Sequence, residues 1–247
     1  MMALVLFQCS SSAYAERKKD VEIEAGISYD RMTGDYDDWK SIYLEGKGRI
    51  GEGLYLYGTA REVERFSISE RELMSGLVLP SVGNITATIE GTTGEDGKIL
   101  PRRSYLAGID IALFKGVVLH AGGGEKTYTD SHVYSGNVSF QKYFSDYLGA
   151  FTIYHTRVEG GADTLGYSLK INRYYRDRDY AGLIFSFGKE AERISPSVIV
   201  SSSVSTIVFL GRSWFAEDWG LTYEAWFHSQ GDYYDRYGLR SGLRFRF

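Results

Sequence analysis

The sequence predicts a closed antiparallel up-and-down β-barrel that spans a membrane, and three observations carry this prediction. Apolar and polar residues alternate over segments of roughly ten to thirteen residues, a period typical of strands with two different environments. The breaks between these segments are alternately short and long. No run of about twenty apolar residues occurs, which excludes helical membrane spans. We expect about 14 strands, with 12 as the alternative.

The composition agrees with an all-β membrane protein. The 247 residues include 20 Tyr, 13 Phe and 29 Gly but only 3 Pro, and the hydrophobic fraction is 43%. Tyr-rich, Pro-poor chains favour strands. The formal net charge of −4 leaves no basic field, so we expect no nucleic-acid partner.

The last segment, YGLRSGLRFRF at 237–247, shows the alternation most clearly. One face is apolar and the other cationic: Leu239, Leu243, Phe245 and Phe247 against Arg240, Arg244 and Arg246. A strand with these two faces fits lipid on one side and a wet lumen on the other. We therefore expect outer-membrane lipids as a partner. The apolar ending, Leu243, Phe245 and Phe247, resembles the signal by which the barrel-assembly machinery recognises outer-membrane barrels.

Charged residues recur on the polar face of the predicted strands. Burying so many charges in an apolar core would cost several kcal/mol each unless they were paired, whereas a wet lumen lets opposite charges pair and hydrate. The charges predicted to face the lumen are Glu45, Lys47, Arg49, Arg61, Arg65, Lys170, Glu224, Arg240 and Arg244. Aromatic residues near strand ends predict an interfacial girdle of Tyr55, Tyr57, Tyr143, Phe144, Tyr147, Trp214 and Trp219.

The breaks predict the orientation of the barrel. The short ones are residues 51–53, 80–83, 114–116, 145–147, 176–179 and 216–218. The longer ones are residues 33–38, 94–101, 160–164 and 191–201. Outer-membrane barrels place short turns in the periplasm and long loops outside the cell. We therefore predict this orientation, in the outer membrane of a Gram-negative cell.

The N-terminal segment has the features of a secretory signal. An apolar stretch at 2–7 is followed by small residues and an Ala-Tyr-Ala ending, which predicts a signal peptide at 1–15. A short segment at 16–20 would then precede the barrel at 21–247. The rival interpretation is a lipidated Cys9, which Gln8 disfavours. This is the chain's one Cys, so no internal disulfide is expected.

Four motifs were weighed for chemistry, and none predicts a site. HAGGGEKTY at 120–128 lacks the spacing of a phosphate-binding loop. The four His residues lack metal-ligand spacing. Ser135 and Asn137 lie on the polar face, whereas a lipid-facing triad with His155 would need them turned outward. The GDYDD loop at 34–38 is better explained as a solvated surface than as a Ca²⁺ site. We predict no catalytic, cofactor-binding or metal-binding residue, and no cofactor.

Several segments carry a more specific pattern than the alternation alone: GISYD with the acidic loop and Trp39, REVERF at 61–66, LPRRSYLAGIDIAL at 100–113, SGNVSFQKYFSDY at 135–147 and YSLKINRYYRDRDYAGLIFSFG at 167–188. Together these segments resemble the YaiO family of outer-membrane β-barrel proteins. The resemblance covers nearly the whole chain from Val21 and supplies no catalytic residues. It implies an outer-membrane barrel whose molecular activity is not well defined.

Three functions remain open at this stage. The favoured one is a non-enzymatic, porin-like barrel with a structural, surface or small-pore role. The second is a channel or accessory barrel for export of a surface polysaccharide, which would then be a partner, because a polar, Tyr-rich lumen suits sugar rings. The third is a lipid-modifying enzyme at the outer rim.

Overall fold

The computed structural model describes residues 21–161, 163–176, 178–195 and 198–247. Within them, 14 antiparallel strands form a closed barrel in which each strand pairs with its sequence neighbours and the first pairs with the last. This confirms the predicted fold class. The predicted signal peptide at 1–15 and the segment at 16–20 lie outside the described residues. Among those described, no helix is long and apolar enough to cross a membrane.

The strands follow one another as a meander. They are β1 (Val21–Met32), β2 (Trp39–Gly51), β3 (Leu54–Arg65), β4 (Ile68–Val78), β5 (Ile85–Gly94), β6 (Arg103–Phe114), β7 (Val117–Thr127), β8 (His132–Phe144), β9 (Tyr147–Val158), β10 (Asp163–Tyr175), β11 (Asp179–Ser195), β12 (Val198–Trp214), β13 (Trp219–Gln230) and β14 (Tyr234–Arg246).

Alternate residues of each strand face the lumen and the outside. On β1, Ile27 faces outward and is 63% exposed, while Glu24 faces inward and is 2% exposed. Leu239 of β14 likewise faces outward, 64% exposed. An apolar outer surface of this kind is compatible with lipid. The closed ladder also leaves no strand edge with unpaired backbone groups in the membrane. The barrel wall therefore separates an apolar exterior from a polar interior.

The predicted loop at 191–201 is wrong. β11 continues to Ser195 and β12 begins at Val198, so each of these strands has 17 residues. The pairing continues through this region, with a register shift between Arg193 and Ser195. Three serines and a proline in residues 191–201 suggested a loop, but the paired strands continue on both sides of residues 196–197. These two strands therefore extend further than their neighbours.

Four of the predicted girdle aromatics lie on the inner face instead: Tyr55 and Tyr57 of β3, Tyr143 of β8 and Trp214 of β12. Tyr57 is 5% exposed, and its hydroxyl donates to Glu90 Oε2 at 3.1 Å. Trp214 lies against arginine side chains at the short-turn end of the lumen. All four were assigned from their place near a strand end, and the face of the strand decides otherwise. Phe144 and Trp219 are 47% and 41% exposed near strand ends, where a girdle would lie.

Large inward-facing rings lie directly across from glycines. The pairs are Gly26 with Tyr43, Gly76 with Tyr57, and Gly238 with Trp226. A Cβ added at any of these glycines would overlap the facing ring. The glycine thus lets the ring lie flat against the wall of the neighbouring strand, a close approach that glycine alone permits. This arrangement keeps bulky side chains close to the wall of the lumen.

Leu239→Arg should lower the free energy of unfolding by about 2–4 kcal/mol, because it places a cation near the middle of the lipid-facing surface. The matched control is Leu210→Arg, which puts the same side chain on the inner face opposite Glu224. Urea titration of refolded protein in lipid vesicles measures both. Equal destabilisation by the two changes would contradict the assignment of the faces.

Candidate functional site

The lumen carries an ion-pair network where β1 and β14 close the barrel. Arg244 Nη2 lies 2.5 Å from Glu24 Oε2, and Arg244 Nη1 lies 2.8 Å from Glu22 Oε2. Lys47 Nζ also reaches Glu22, at 3.1 Å. The Tyr43 hydroxyl donates to Glu24 Oε1 at 2.8 Å. Glu24 is therefore buried with a charge partner and a hydrogen-bond donor, which offsets the cost of removing it from water.

A second set of contacts surrounds Arg240. Its guanidinium forms an ion pair with Glu45 and lies 3.9 Å from the centre of the Tyr43 ring. Glu224 is directly opposite Arg240 in the register of β13 and β14. Cation, ring and carboxylates from β2, β13 and β14 thus meet on one wall of the lumen.

The other charges predicted for the lumen have varied surroundings. Arg61 Nη2 lies 2.8 Å from Glu72 Oε1, and Arg65 lies 4.2 Å above the Trp39 ring. Lys170 shares its face of β10 with Asn172, which is fully buried. Arg49 shares its face of β2 with Glu45 and Lys47 and lies near the end of the strand. Arg49 donates from Nε to the carbonyl of Gly51 at the short turn.

An aromatic cluster fills part of the lumen at the long-loop end. Trp39, 1% exposed, packs with Met32 and Tyr234 and lies edge-to-face to Phe66 at 5.8 Å. The guanidinium of Arg236 lies 4.8 Å from the centre of the Trp39 ring. Long loops mark the extracellular end of an outer-membrane barrel. The cluster therefore narrows the mouth of the barrel at the long-loop end, beside β1, β2 and β14.

The loop between β5 and β6 folds over the same mouth. Glu70, 1% exposed, accepts hydrogen bonds from the backbone N–H groups of Lys98, Ile99 and Leu100 at 2.8, 3.2 and 2.8 Å. Ile99 and Leu100 pack against Val63 in a small apolar cluster. One buried carboxylate thus holds three consecutive residues of the loop against the barrel wall.

The acidic loop at 33–38 uses its carboxylates for its own hydrogen bonds. Asp38 accepts from the Tyr29 hydroxyl and from the backbone N–H of Met32, and these bonds hold the pKa of Asp38 below its usual value. Asp37 accepts from the Ser67 hydroxyl at 3.0 Å. Within the described ranges, no group of three or more His, Cys, Asp or Glu side chains has a metal-binding arrangement.

The residues weighed as a lipid-facing triad lie on opposite sides of the wall. His155 has a 58% exposed side chain, 3.6 Å from Asp163. Ser135 and Asn137 share their face of β8 with Ser139, which is 4% exposed inside the barrel. A hydroxyl in the lumen cannot exchange a proton directly with an imidazole on the outer face. The arrangement therefore provides no Ser–His pair.

Sequence reasoning missed three features of the lumen: the Trp39 cluster, the Glu70 contact with the β5–β6 loop, and the arginines around Trp214. The first two join residues that are distant in sequence, and no local pattern shows that a loop folds inward. The third could have been found from the sequence, because Trp214 is two residues from Arg212 on the same strand and therefore shares its inward face.

Arg244→Leu should lower the free energy of unfolding by about 3 kcal/mol, because it leaves Glu22 and Glu24 with one cation fewer in a poorly hydrated wall. The matched control is Arg31→Leu on the outer face of β1, where a loss within about 0.5 kcal/mol is expected. Urea titration compares the two. A loss from Arg244→Leu no larger than the control's would contradict a stabilising role for the network.

The comparisons with solved structures agree with the barrel. The chain is similar to a bacterial polysaccharide outer membrane secretin, with a TM-score of 0.58 and 11% identity over 93% of this chain and 99% of that one. It is also similar to the KdgM porin in complex with disordered oligogalacturonate, with a TM-score of 0.53 and 11% identity over 91% of this chain and 99% of that one.

A third similar structure is the anion-selective porin from Comamonas acidovorans, with a TM-score of 0.53 and 10% identity over 92% of this chain and 98% of that one. Identities this low indicate a shared fold and nothing finer. No curated protein matches the chain.

The sequence itself identifies the family. The profile of the YaiO membrane beta barrel domain matches residues 20–193, well over half of the chain. This match confirms the resemblance inferred from the sequence segments. It also agrees with the closed barrel and its apolar outer face, and with a place in the outer membrane. The chain belongs to the YaiO family of outer-membrane β-barrel proteins.

Proposed function

We propose that this barrel is a non-enzymatic, narrow pore for small polar solutes in the outer membrane. The observation that carries the proposal is that several charged side chains in the lumen form ion pairs and are still partly exposed to solvent. The side chains of Lys47, Arg61 and Arg240 are 35%, 31% and 21% exposed. Since these residues face inward, water enters the lumen at different heights. A wet lumen lined by both signs of charge is typical of a pore.

The extracellular mouth would limit this pore. The Trp39 cluster and the β5–β6 loop both occupy that end, and Glu70 holds the loop in place. A constriction lined by apolar groups hinders the passage of ions and water. We therefore propose a small conductance that depends on the position of this loop.

A second candidate is an accessory barrel for polysaccharide export. It is favoured by the wall formed by β8, β9 and β10, which carries uncharged hydroxyl and amide groups. Those groups are Asn137, Ser139, Thr152, Tyr154 and Ser168. Such groups can hydrogen-bond sugar hydroxyls without binding them tightly. Two structures of similar fold are described as a polysaccharide secretin and an oligogalacturonate complex, which motivates testing sugars on this chain.

The C-terminal residues Leu243, Phe245 and Phe247 are proposed to contact the barrel-assembly machinery. Leu243 and Phe247 are 46% and 56% exposed on the outer face. The backbone N–H of Phe247 donates to the carbonyl of Val21 at 2.9 Å, so the last residue still pairs with β1. Before the barrel closes, this apolar strand end would offer the machinery an edge that later pairs with β1, together with its side-chain pattern.

The pore proposal predicts small conductance steps for the wild-type protein in planar bilayers. Glu70→Ala removes the acceptor of three loop N–H groups, so the loop should leave the mouth and the conductance should rise at least twofold. The matched control is Glu62→Ala on the outer face of β3, paired there with Arg71, which should leave conductance unchanged. Inserted protein that passes no current, both as wild type and as Glu70→Ala, would contradict the pore.

Phe247→Ala should reduce the amount of assembled barrel in cells several-fold while changing the stability of refolded protein by only about 1–2 kcal/mol. The control is Phe114→Ala, which truncates a phenylalanine that is 67% exposed at a short turn. Heat-modifiable migration of outer-membrane fractions measures assembly. Wild-type levels of the Phe247→Ala protein would argue against an insertion signal.

A further inference from the structure

Three arginines surround one tryptophan at the short-turn end of the lumen. The guanidinium carbons of Arg178, Arg212 and Arg246 lie 5.1, 6.0 and 5.8 Å from the centre of the Trp214 ring. An indole attracts cations, but it carries no charge and cannot neutralise three of them. The Arg–Trp cluster, as we call these four residues, therefore concentrates positive charge at the end that faces the periplasm.

Two of these guanidiniums are oriented by backbone carbonyls. Arg212 donates from Nε and Nη2 to the carbonyl oxygen of Arg178, at 3.2 and 3.0 Å. Arg178 donates from Nη1 to the carbonyl oxygen of Glu217 at 3.2 Å. A carbonyl accepts hydrogen bonds but carries no net charge. These hydrogen bonds fix the direction of both arginine side chains. The carbonyl oxygens do not neutralise the positive charges of the two guanidinium groups.

Two buried donors in the cluster lack a hydrogen-bond acceptor. They are Trp214 Nε1 and Arg246 Nε, both inaccessible to water, and the described part of the chain offers neither a partner. Leaving a buried donor unsatisfied costs about 1–3 kcal/mol, and more when the group is charged. Such donors are rare in folded proteins and call for an explanation. Here both belong to the same cluster, so one external acceptor would satisfy both.

The nearest buried carboxylates already have partners. Asp179 Oδ1 accepts the backbone N–H of Trp214 at 2.8 Å. Glu22 binds Lys47 at 3.1 Å and Arg244 at 2.8 Å. An external anion would therefore meet cations whose neighbouring acids are engaged elsewhere.

We propose that the Arg–Trp cluster binds an oxyanion, the carboxylate or phosphate of a solute that enters the lumen from the periplasm. Guanidinium groups match the planar or tetrahedral oxygens of these anions and form charge-assisted hydrogen bonds with them. Binding shifts these side chains, so that the bound oxygens accept the hydrogens of Trp214 Nε1 and Arg246 Nε, which are out of reach of an external oxygen in the unbound barrel. Binding itself does not depend on conduction, whereas a role in solute entry rests on the proposed pore.

Titration calorimetry on the refolded full-length barrel in detergent tests the site. The probes are a short oligosaccharide of glucuronic acid, its neutral methyl ester, and inorganic phosphate. We expect the acid to bind at least about tenfold more tightly than the ester, since esterification removes the charge and leaves the sugar ring intact. If inorganic phosphate binds with an affinity similar to that of the acid, the site is supported and the oxyanion alone accounts for binding. If phosphate binds more weakly than the acid, the site is supported and the sugar contributes part of the affinity.

Variants connect the binding to named atoms. Arg212→Gln and Arg246→Gln should each weaken binding of the acid about tenfold. Trp214→Phe keeps an aromatic ring but removes Nε1–H, so a loss of about threefold is expected. The control Arg157→Gln removes an exposed arginine from the outer face of β9 and should leave affinity unchanged. Heat-modifiable migration shows that each variant is folded.

Equal affinity for the acid and the ester would overturn the proposal, and this comparison needs no variant. A loss from Arg157→Gln as large as that from Arg246→Gln would also overturn it, because the binding would then be non-specific. A protein that conducts but binds no anion would refute the oxyanion site and leave the pore standing. A protein that binds the acid but never conducts would keep the site and refute the pore.

Discussion

The structure depends on one constraint: inside a lipid bilayer every backbone N–H and C=O must be paired within the protein. An open sheet has two edges that break this rule, so β1 and β14 must meet. They do so in continuous register from Glu22 opposite Arg246 to Met32 opposite Arg236. Once the ladder closes, each side chain belongs either to the exterior or to the lumen. The apolar outer face and the charged interior are both consequences of that closure.

Closure also determines which charges can compensate one another. Glu24 and Arg244 are 220 residues apart in the chain, yet they hydrogen-bond across the seam between β1 and β14. Neither residue has, on its own strand, an inward-facing residue of opposite charge that could replace this partner. The interior network is thus a property of the closed barrel, and an open sheet would leave its members without these partners. The glycines beneath aromatic rings differ in this respect, since each ring is accommodated by a strand that is its neighbour in sequence.

Local patterns predicted most of the fold, because the alternation of apolar and polar residues can be recognised within each strand by itself. The alternation within β14 is enough to predict that Leu239 faces lipid and that Arg240 faces the lumen. No other strand needs to be known for this. Features that depend on register or on loop paths were not accessible. Tyr57 was the exception, because it shares the parity of Arg61 and Arg65 and the period of two already places it inside. The polar residues near 191–201 concealed two long strands. Glu70 gave no sign of binding a loop, because its partners are backbone groups some 30 residues away.

The charges along the closing seam have a consequence for the chain before it closes. An incomplete sheet carries β1 at one edge and β14 at the other, and an exposed edge invites pairing with another copy. Here one edge strand bears glutamates and aspartate on its inner side, and the other bears a row of arginines. Two copies that met through the same edge would bring like charges together, whereas the two edges of one chain attract. The seam charges thus disfavour association of two copies through the same edge and favour the pairing of β1 with β14.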